Sequence, residues 1–341
     1  TTTKEMIAAV LRTALRTQWT EKNYNNEIGL PVSVLRLKPD CEAAVLEMGM
    51  NHFGELSVLT RIAQPDLAVI TNIGTMHIEN LGSRESILRA KLEILEGLRP
   101  GGRVIFNGDD ALLRPLAARY HAVCFGLSEG CDVRASRVCE SAEGSKFTVH
   151  AFGKSFEAAL SVPGLHNVLD ALAAAAVGLL LGLSPEQIAE GLRSYAPLRQ
   201  RVSHAAGMTI IDDCYNAGPE SMRAALRVLA GTPTEGRRIA VLGGMLELGD
   251  FAPELHAGVG REAAKTADLL LAYGPCSECY VQGAHEAGLA GARAFATHDA
   301  LVAALEETCR AGDTLLFKGS HGMHMEQVLA RFLKTKEHMG E

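Results

Sequence analysis

The chain has 341 residues, of which 47% are hydrophobic and 5% aromatic, and its formal net charge is −7. The length suggests two domains of ordinary size, and the apolar content is sufficient for a packed core in each. Charges of both signs are interspersed, which argues against a nucleic-acid partner, because binding to phosphates needs clustered Lys and Arg. No apolar run is long enough to span a bilayer, so we expect no membrane segment.

The eight cysteines do not have the spacing of a disulfide framework, which favours reduced thiols in a cytoplasmic protein. Cys276 and Cys279 form a CxxC pair that no second pair matches, so either a metal or redox role or an incidental pair near a loop is compatible with the pattern. The polar start at Thr1 is unlike a signal peptide and is typical of a helix.

Strands and helices alternate in the first half of the chain, which predicts a mostly parallel sheet. Short alternating segments between residues 131 and 162 predict a small antiparallel patch. The helical spacing of Met6 and the apolar residues after it predicts that the chain opens in a helix. In chain order we then expect strands at 42–48 and 67–73, a helix at 83–98 begun by Ser83 and ended by Gly97 and Pro100, a strand at 103–107, and helices at 167–181 and 185–194.

A domain boundary is predicted near residues 196–198, which gives an α/β chain with domains at 1–197 and 198–341. The second domain has the regular βα rhythm of a doubly wound, Rossmann-like fold. Its predicted strands are 209–212, 239–242, 268–272, 293–296 and 314–318, and its last helix is 323–333.

Three side chains of the first half lie at or after predicted strand ends, where open α/β sheets bind ligands. Glu47 ends the first strand, His77 follows the second, and Lys91 lies on the helix that starts at Ser83. Lys91 falls between Ile87 and Ile94 on one apolar stripe of that helix, which Leu98 continues, so it is expected to point to the interior. A buried lysine that loses its proton can react with CO2 to form a carbamate. Taken singly, each has a simple alternative: a salt-bridged Glu47, a core His77, and a snorkelling Lys91. Together they suggest a Mg²⁺ site.

Thr1, Thr2 and Thr3 begin the first helix without a preceding strand or glycine loop, so a threonine-rich N-cap is the simple interpretation. A wider comparison of motifs changes that interpretation. The chain resembles the Mur ligase family, and within it the branch that adds D-alanyl-D-alanine, from residue 1 to about residue 335. The resemblance is carried by TTTKEMIAAVL, NYNNEIGLPVSVL, LEMGMNHFGEL, ITNIGTMHIENLGSRESILRAKLEILEGL, GLHNVLDALAAAAVGLLL, IIDDCYNAGPESMRAAL, VLGGMLELGD and FKGSHGMHMEQVL.

The resemblance implies that domain 1–197 is a central ATPase domain of the P-loop type and that Thr1 is the Mg²⁺-binding threonine of its phosphate loop. The rest of that loop and a UDP-sugar-binding domain would then lie upstream, and we expect this stretch to be inactive alone. The metal residues of the family correspond to Thr1, Glu47 and His77, and its carbamylated lysine to Lys91.

The implied activity is ATP-dependent formation of an amide bond between UDP-MurNAc-tripeptide and D-alanyl-D-alanine, through an acyl phosphate, in the synthesis of peptidoglycan precursors for the cell wall. We expect a cytoplasmic monomer with ATP and Mg²⁺ as cofactors. The catalytic residues would be Lys91, His77 and Arg201. Arg201, Asn167 and Asp213 would contact ATP, Lys318 and Ser320 would lie in the acceptor loop, and Asn25, Asn26, Asn51 and Glu55 would line the donor side, although Asn also favours turns.

Several positions depart from the family pattern. Asp170 stands where an asparagine near adenine is usual, and Gly244 where an aspartate is usual. Cys214 and Gly218 replace serine and asparagine, and His321 and His324 replace arginines, which weakens anion binding near neutral pH. Two alternatives follow: another Mur-type ligase with a different amine acceptor, or a catalytically dead binding or scaffold protein.

Overall fold

The computed structural model describes residues 1–141, 143–197 and 200–338, and it divides the chain into two compact units, Thr1–Ala196 and Pro197–Glu341. Leu198, where the predicted second domain begins, lies outside the described residues. Within the described ranges, no helix has the length and apolar character that crossing a membrane requires.

The first unit is a mixed α/β structure in which short helices surround two sheets. Its strands are β1 (Thr17–Trp19), β2 (Ala43–Val45), β3 (Leu67–Ile70), β4 (Arg103–Asn107), β5 (Val123–Gly126), β6 (Val133–Ser141), β7 (Gly144–Ala151) and β8 (Lys154–Leu160). Its helices are α1 (Thr2–Leu11), α2 (Gly29–Leu35), α3 (Glu55–Ala63), α4 (Ile78–Leu81), α5 (Arg84–Leu92), α6 (Ala117–Tyr120), α7 (Leu165–Leu180) and α8 (Pro185–Arg193), with 3₁₀ turns at Glu93–Gly97 and Arg114–Leu116.

The larger sheet of this unit has the order β3-β4-β5-β6-β7-β8, parallel from β3 to β6 and antiparallel from β6 to β8. The antiparallel patch predicted between residues 131 and 162 is therefore confirmed. The predicted strand 42–48 was too long: β2 covers only Ala43–Val45 and pairs in parallel with β1 in a separate two-stranded sheet. Glu47 thus follows its strand and does not end it.

Helix α7 supplies the centre of the first core, with alanines at 171 and 173–176 fully buried. Small side chains there let α1 pack directly against α7 and α8, because helices approach closely only where few atoms intervene. Helices α1 and α8 approach closely at Gly191, where a Cβ would lie 2.4 Å from the Cα of Val10. The core therefore fixes α1, and with it the residue that precedes α1.

The predicted helix 83–98 is in fact two segments. Ser83 is the N-cap, as predicted, and its hydroxyl accepts a hydrogen bond from the amide of Ser86. The α-helix ends at Leu92, however, and a 3₁₀ turn continues to Gly97, where a Cβ would lie 2.3 Å from the carbonyl oxygen of Thr60. This close approach to α3 occurs at a glycine, because no other residue fits there without a shift.

The second unit is one six-stranded sheet of order β13-β12-β11-β14-β10-β9, parallel except for the edge strand β9. All five predicted strands are confirmed to within about two residues. The additional strand β9 was not predicted, because four of its five residues are exposed and form no apolar run. The strands are β9 (Arg201–Ala205), β10 (Met208–Asp213), β11 (Arg238–Gly243), β12 (Leu269–Tyr273), β13 (Ala292–Phe295) and β14 (Thr314–Lys318). The helices are α9 (Pro219–Gly231), α10 (Ala252–Thr266), α11 (Ser277–Glu286), α12 (His298–Thr308) and α13 (Met325–His338), with 3₁₀ turns at Gly249–Phe251 and His321–Met323.

Candidate functional site

Glu47 is the centre of a polar cluster beyond the carboxyl end of β2. Its two carboxylate oxygens each lie 3.0 Å from the hydroxyl of Thr1, and one of them also accepts a hydrogen bond from the side-chain amide of Asn25 at 3.0 Å. The backbone amide of Glu47 donates to the hydroxyl of Thr20, which fixes the turn after the strand. The fold thus brings together three side chains from the beginning of α1, the β1–α2 connection and the end of β2.

The carboxylate of Glu47 is only 19% exposed. Burial, the largest influence, acts to raise the pKa of Glu47, but the hydroxyl of Thr1, the ammonium group of Lys4 and the amide of Asn25 all act to lower it, and the pKa lies below its ordinary value. Glu47 is therefore an ionised, half-buried oxygen donor at neutral pH. Such a group is suited to a hard divalent cation.

Thr1 occupies the N-cap position of α1, but its side chain makes no capping hydrogen bond. The simple interpretation of a threonine-rich cap is therefore wrong for this residue, because the hydroxyl is directed to Glu47. The hydroxyl of Thr3, two residues further along the chain, donates to the carboxylate of Asp170 on α7. This hydrogen bond from Thr3 to Asp170 links α1 to α7, and the side-chain oxygen of an asparagine at position 170 could accept the same bond.

Lys4 is a residue of this cluster that the sequence analysis missed. Its side chain is buried, and its ammonium group donates to the carbonyl of Thr20 at 2.6 Å and lies 3.7 Å from Glu47. Lys4 stands three residues before Ile7 and seven before Leu11, both buried, so the helical stripe used to single out Lys91 could have found it.

The other residues expected on the donor side make hydrogen bonds within the turns in which they lie. The side-chain oxygen of Asn26 accepts from the amide of Gly29 at 2.8 Å, at the start of α2. The carboxylate of Glu55 accepts from the amide of Asn51 at 2.6 Å and faces the ring of His52 at 3.2 Å. Burial acts to raise the pKa of Glu55, but these hydrogen bonds keep it below its ordinary value. Their substrate contacts stay predictions.

His77 and Lys91 lie along the segments that follow β3. His77 is half-buried at the N-cap of α4 in the left-handed region, with φ of 62°. Lys91 is also half-buried, and its ammonium group donates to the carbonyl of Asn72 at 2.7 Å. The prediction of one interior stripe was wrong in part, since Ile87 is buried but Ile94 belongs to the 3₁₀ turn.

The chemistry of the donors agrees with a Mg²⁺ ion at Thr1 and Glu47, because a hydroxyl and a carboxylate are hard oxygen ligands. Over the described ranges, no three His, Cys, Asp or Glu side chains are grouped closely enough to hold a metal ion. The roles of His77 and Lys91 as further ligands stay predictions.

At the carboxyl edge of the second sheet, Lys318 and Asp213 form a buried ion pair. Lys318 ends β14, is 3% exposed, and donates to the carboxylate of Asp213 at 2.6 Å and to the carbonyl of Asn216 at 2.9 Å. The register places Asp213 directly beside Lys318 in adjacent parallel strands. The pair fixes the ends of β10 and β14 relative to one another.

Arg201 and Asn167, both expected at the nucleotide, each make a hydrogen bond to a nearby residue of the same unit. Arg201 lies exposed on the edge strand β9, and its guanidinium donates to Asp212 at 3.2 Å. Asn167 is buried on the first turn of α7, where its side-chain amide donates to the carbonyl of Pro163 at 2.6 Å. The contacts of Arg201 and Asn167 with the nucleotide stay predictions.

Ser320 joins the loops that follow three strands of the second sheet. Its hydroxyl accepts from the amide of Leu246 at 3.0 Å and donates to the carbonyl of Ala217 at 3.3 Å, and its amide donates to the carbonyl of Gly244 at 3.2 Å. A Cβ at Gly244 would lie 3.0 Å from the carbonyl oxygen of Pro275. This contact is tighter than ordinary van der Waals contact, so a glycine fits here more easily than the aspartate that the resemblance leads us to expect.

The fold and the two polar clusters are those of a two-part α/β enzyme with its ligand groups at strand ends. Residues 1–178 match the Mur ligase middle domain, and residues 199–321 match the Mur ligase glutamate ligase domain. The chain belongs to the Mur ligase family.

Relatives that share one enzyme name are similar to this chain over nearly its whole length. The chain is 38% identical over 340 residues to the UDP-N-acetylmuramoyl-tripeptide–D-alanyl-D-alanine ligase of Bacillus subtilis, covering 98% of this chain and 74% of the relative, and 34% identical to the Escherichia coli enzyme of the same name, covering 96% and 74%. Among solved structures, MurF from Acinetobacter baumannii is similar with a TM-score of 0.90 at 34% identity, covering 98% of this chain and 74% of that one. MurF from Thermotoga maritima in complex with ADP is similar with a TM-score of 0.88 at 29% identity, covering 99% and 78%.

Proposed function

We propose that the chain is the catalytic part of an ATP-dependent ligase that joins D-alanyl-D-alanine to UDP-MurNAc-tripeptide. The observation that carries the proposal is the Thr1–Glu47 pair, a hydroxyl and an ionised carboxylate held together in a chain 38% identical to a ligase of that name. The relatives named for this activity match this chain over nearly its whole length, which favours the dipeptide over other amine acceptors.

Mg²⁺ is the metal that the first cluster would hold, through Thr1 and Glu47, with His77 and a carbamylated Lys91 as further ligands. When bound, the ion neutralises charge that develops on the phosphate oxygens during transfer. Carbamylation would replace the ammonium group of Lys91 by an anion, so its present hydrogen bond to the carbonyl of Asn72 would have to break. That cost is offset only if a cation sits beside the new anion.

The reaction has two steps. The terminal carboxylate of the tripeptide attacks the γ-phosphorus of ATP, which gives an acyl phosphate and ADP. The amine of D-alanyl-D-alanine then attacks the acyl carbon, inorganic phosphate leaves, and the amine gives up its proton as the amide forms. We assign Asn167, Asp213 and Arg201 to the nucleotide, and Asn25, Asn26, Asn51 and Glu55 to the donor.

In the second unit, Lys318 and Ser320 are assigned to the acceptor loop. The ion pair between Lys318 and Asp213 offsets part of the cost of burying the lysine, because a paired charge costs less than an isolated one. We further propose that the enzyme acts as a monomer and that it lies in the cytoplasm; the eight free thiols support the second assignment.

The proposal is tested by measuring ADP release from the complete gene product with UDP-MurNAc-tripeptide and a panel of amines. We expect release to depend on D-alanyl-D-alanine and to be at least tenfold slower with D-alanine, L-lysine or glutamate. Preference for one of those amines would favour another Mur-type ligase. Nucleotide binding without turnover for any amine would favour a catalytically dead paralogue, the alternative that the departures at His321 and His324 raise.

A further inference from the structure

His256 is a completely buried histidine on α10 that the proposed reaction does not use. Its exposed fraction is 0%, and both ring nitrogens are engaged. Nε2 accepts a hydrogen bond from the backbone amide of Met245 at 2.9 Å, and Nδ1 lies 2.6 Å from the carbonyl of Ala252. Because a carbonyl can only accept, Nδ1 carries the proton, and the ring is the neutral tautomer with an acceptor at Nε2.

Tyr280 on α11 holds the same loop from the other side of the ring. Its hydroxyl donates to the carbonyl of Gly243 at 3.1 Å, and its ring packs against that of His256 with centroids 4.6 Å apart. The buried side chains of His256 and Tyr280 therefore both hydrogen-bond to the backbone at the end of β11, at Met245 and Gly243 respectively. The helices that carry them are in direct contact, since a Cβ at Gly260 of α10 would lie 2.0 Å from the carbonyl oxygen of Tyr280.

The loop that follows β11 is hydrogen-bonded to Ser320 in the acceptor loop. One residue beyond Met245, the amide of Leu246 donates to the hydroxyl of Ser320, and one residue before it, the carbonyl of Gly244 accepts from the amide of Ser320. A shift of Met245 would therefore be passed to Ser320 through two hydrogen bonds. Such a chain has a defined geometry only while each acceptor and donor is matched.

We propose that His256 is a positioning residue for the acceptor loop: its neutral ring fixes the amide of Met245 and, through Gly244 and Leu246, sets the place of Ser320. The inference rests on the proposed function, which assigns Ser320 to D-alanyl-D-alanine. His256 touches no substrate in this scheme. Its contribution is to reduce the motion of a loop that must present the acceptor amine in one orientation.

Protonation of His256 would undo this arrangement. A proton on Nε2 would face the amide proton of Met245, so two donors would oppose each other. Burial, the dominant influence, lowers the pKa of His256, and the bond to Ala252 opposes that only in part. Tyr280, the titratable group in ring contact, has a pKa raised well above its ordinary value by burial and stays neutral. Among the described residues no charged side chain contributes to the shift of His256.

The sign of the pH effect follows. A histidine whose folded pKa is depressed is protonated first in the unfolded chain, so its stabilising contribution is complete above the ordinary histidine range and is lost as pH falls through it toward the folded pKa. The affinity of the folded protein for the acceptor is expected to fall only at lower pH, where His256 takes up a proton in the folded state. At acid pH the KM for D-alanyl-D-alanine should rise more than kcat falls.

The experiment compares His256→Phe, which keeps the ring but has no acceptor, with His256→Gln, whose amide oxygen can accept from Met245. His285→Gln, an exposed histidine of α11, is the matched control. In the complete protein, the backbone amide resonances of Met245 and Ser320 are followed by NMR, and KM and kcat are measured between about pH 4 and pH 8, a range that extends below the ordinary titration of histidine.

We expect His256→Phe to shift both amides and to raise the KM for D-alanyl-D-alanine about tenfold with a smaller change in kcat. We expect His256→Gln to recover part of both effects and to flatten the acid rise in KM. A lower melting temperature with the Ser320 amide and KM unchanged would overturn the inference. If the wild-type protein does not use D-alanyl-D-alanine, the proposed function fails, while the two amide shifts still decide whether His256 positions the loop.

Discussion

The hydroxyl of Thr1 donates to the carboxylate of Glu47, 3.0 Å from each carboxylate oxygen, although the residues are 46 positions apart. The bond takes the hydroxyl away from the capping role that its position at the start of α1 would suggest. It places a hydroxyl and an ionised carboxylate together at the end of a parallel strand, which is the arrangement the proposed metal site needs.

Replacing Glu47 by Gln keeps the shape of the side chain but removes its charge. We expect kcat/KM to fall about 100-fold, equivalent to ~2.7 kcal/mol, and the Mg²⁺ concentration at half-maximal rate to rise. Activity assayed against Mg²⁺ concentration measures both effects. Glu129→Gln, at an exposed glutamate of the same unit, is the control and should behave as wild type. An unchanged Mg²⁺ dependence of the Glu47 variant would rule out its role as a ligand.

Lys91 should carry a carbamate in the active protein. We expect a ¹³C NMR carbamate signal after incubation with ¹³C-bicarbonate and Mg²⁺, and its loss in Lys91→Arg, because a guanidinium group does not react with CO2 under these conditions. Lys154→Arg, at an exposed lysine of β8, should retain the signal. The same spectrum from wild type and Lys91→Arg would place the modification elsewhere and contradict the assignment.

The buried pair of Asp213 and Lys318 should show strong coupling. Asp213→Asn leaves the charge of Lys318 buried without its carboxylate, so the free energy of unfolding should fall by about 3–5 kcal/mol. The double variant Asp213→Asn with Lys318→Met should recover much of that loss, because no buried charge remains. Urea unfolding of the single and double variants measures the difference. Additive effects would mean that the two side chains act independently.

Two glycines on α10 should respond oppositely to alanine. Gly260→Ala brings a Cβ to 2.0 Å from the carbonyl oxygen of Tyr280, so we expect a loss of about 1–3 kcal/mol in the free energy of unfolding. Gly258→Ala, whose Cβ would meet no heavy atom within 3.6 Å, should gain about 0.5–1 kcal/mol from higher helix propensity. Equal effects in thermal or urea unfolding would refute the close crossing of α10 and α11.

Asp313 predicts a pH dependence of stability. Its buried carboxylate accepts from the guanidinium of Arg237 at 2.7 Å and from the amide of Arg310 at 2.9 Å. Burial acts to raise the pKa of Asp313, but these bonds hold it below its ordinary value. The contribution is therefore present above the ordinary carboxyl range and lost as pH falls through the folded pKa.

Asp313→Asn should therefore cost about 2–3 kcal/mol of unfolding free energy near pH 7, and the difference from wild type should shrink toward about pH 3. Urea unfolding at the two pH values measures it. A gap that stays constant with pH would show that the loss comes from packing and not from the ionised carboxylate.

The sheet of the second unit could be predicted because its parallel strands are continuous apolar runs between helices. Strand β9 could not, since its exposed residues, including Arg201, lack that pattern. In the first unit, the stripe through Ile87 overextended α5, because periodicity does not distinguish an α-helix from the 3₁₀ turn that follows Leu92. The apolar period predicts that α5 forms but not where it ends. The 3₁₀ turn that follows α5 packs against α3 at Gly97, and this contact between distant segments leaves no mark in the local sequence period.

The candidate site was accessible from the sequence only in part. Glu47 could be found as a carboxylate near a strand end, and Thr1 through the family motif. Lys4 was accessible by its buried helical stripe and was missed. His256 lies on the buried face of α10 with Val259 and Ala263, so its burial could be predicted. Its partner Met245 could not, because a loop eleven residues away has no periodic signature.

The central claim is tested most directly by following oxygen from the donor. UDP-MurNAc-tripeptide labelled with ¹⁸O in its terminal carboxylate is incubated with ATP, Mg²⁺, D-alanyl-D-alanine and the complete protein, and the amide product and phosphate are weighed by mass spectrometry. An acyl phosphate requires that each amide formed release one phosphate carrying one ¹⁸O, and we predict this result. Unlabelled phosphate, or ATP consumed without amide product, would contradict the account.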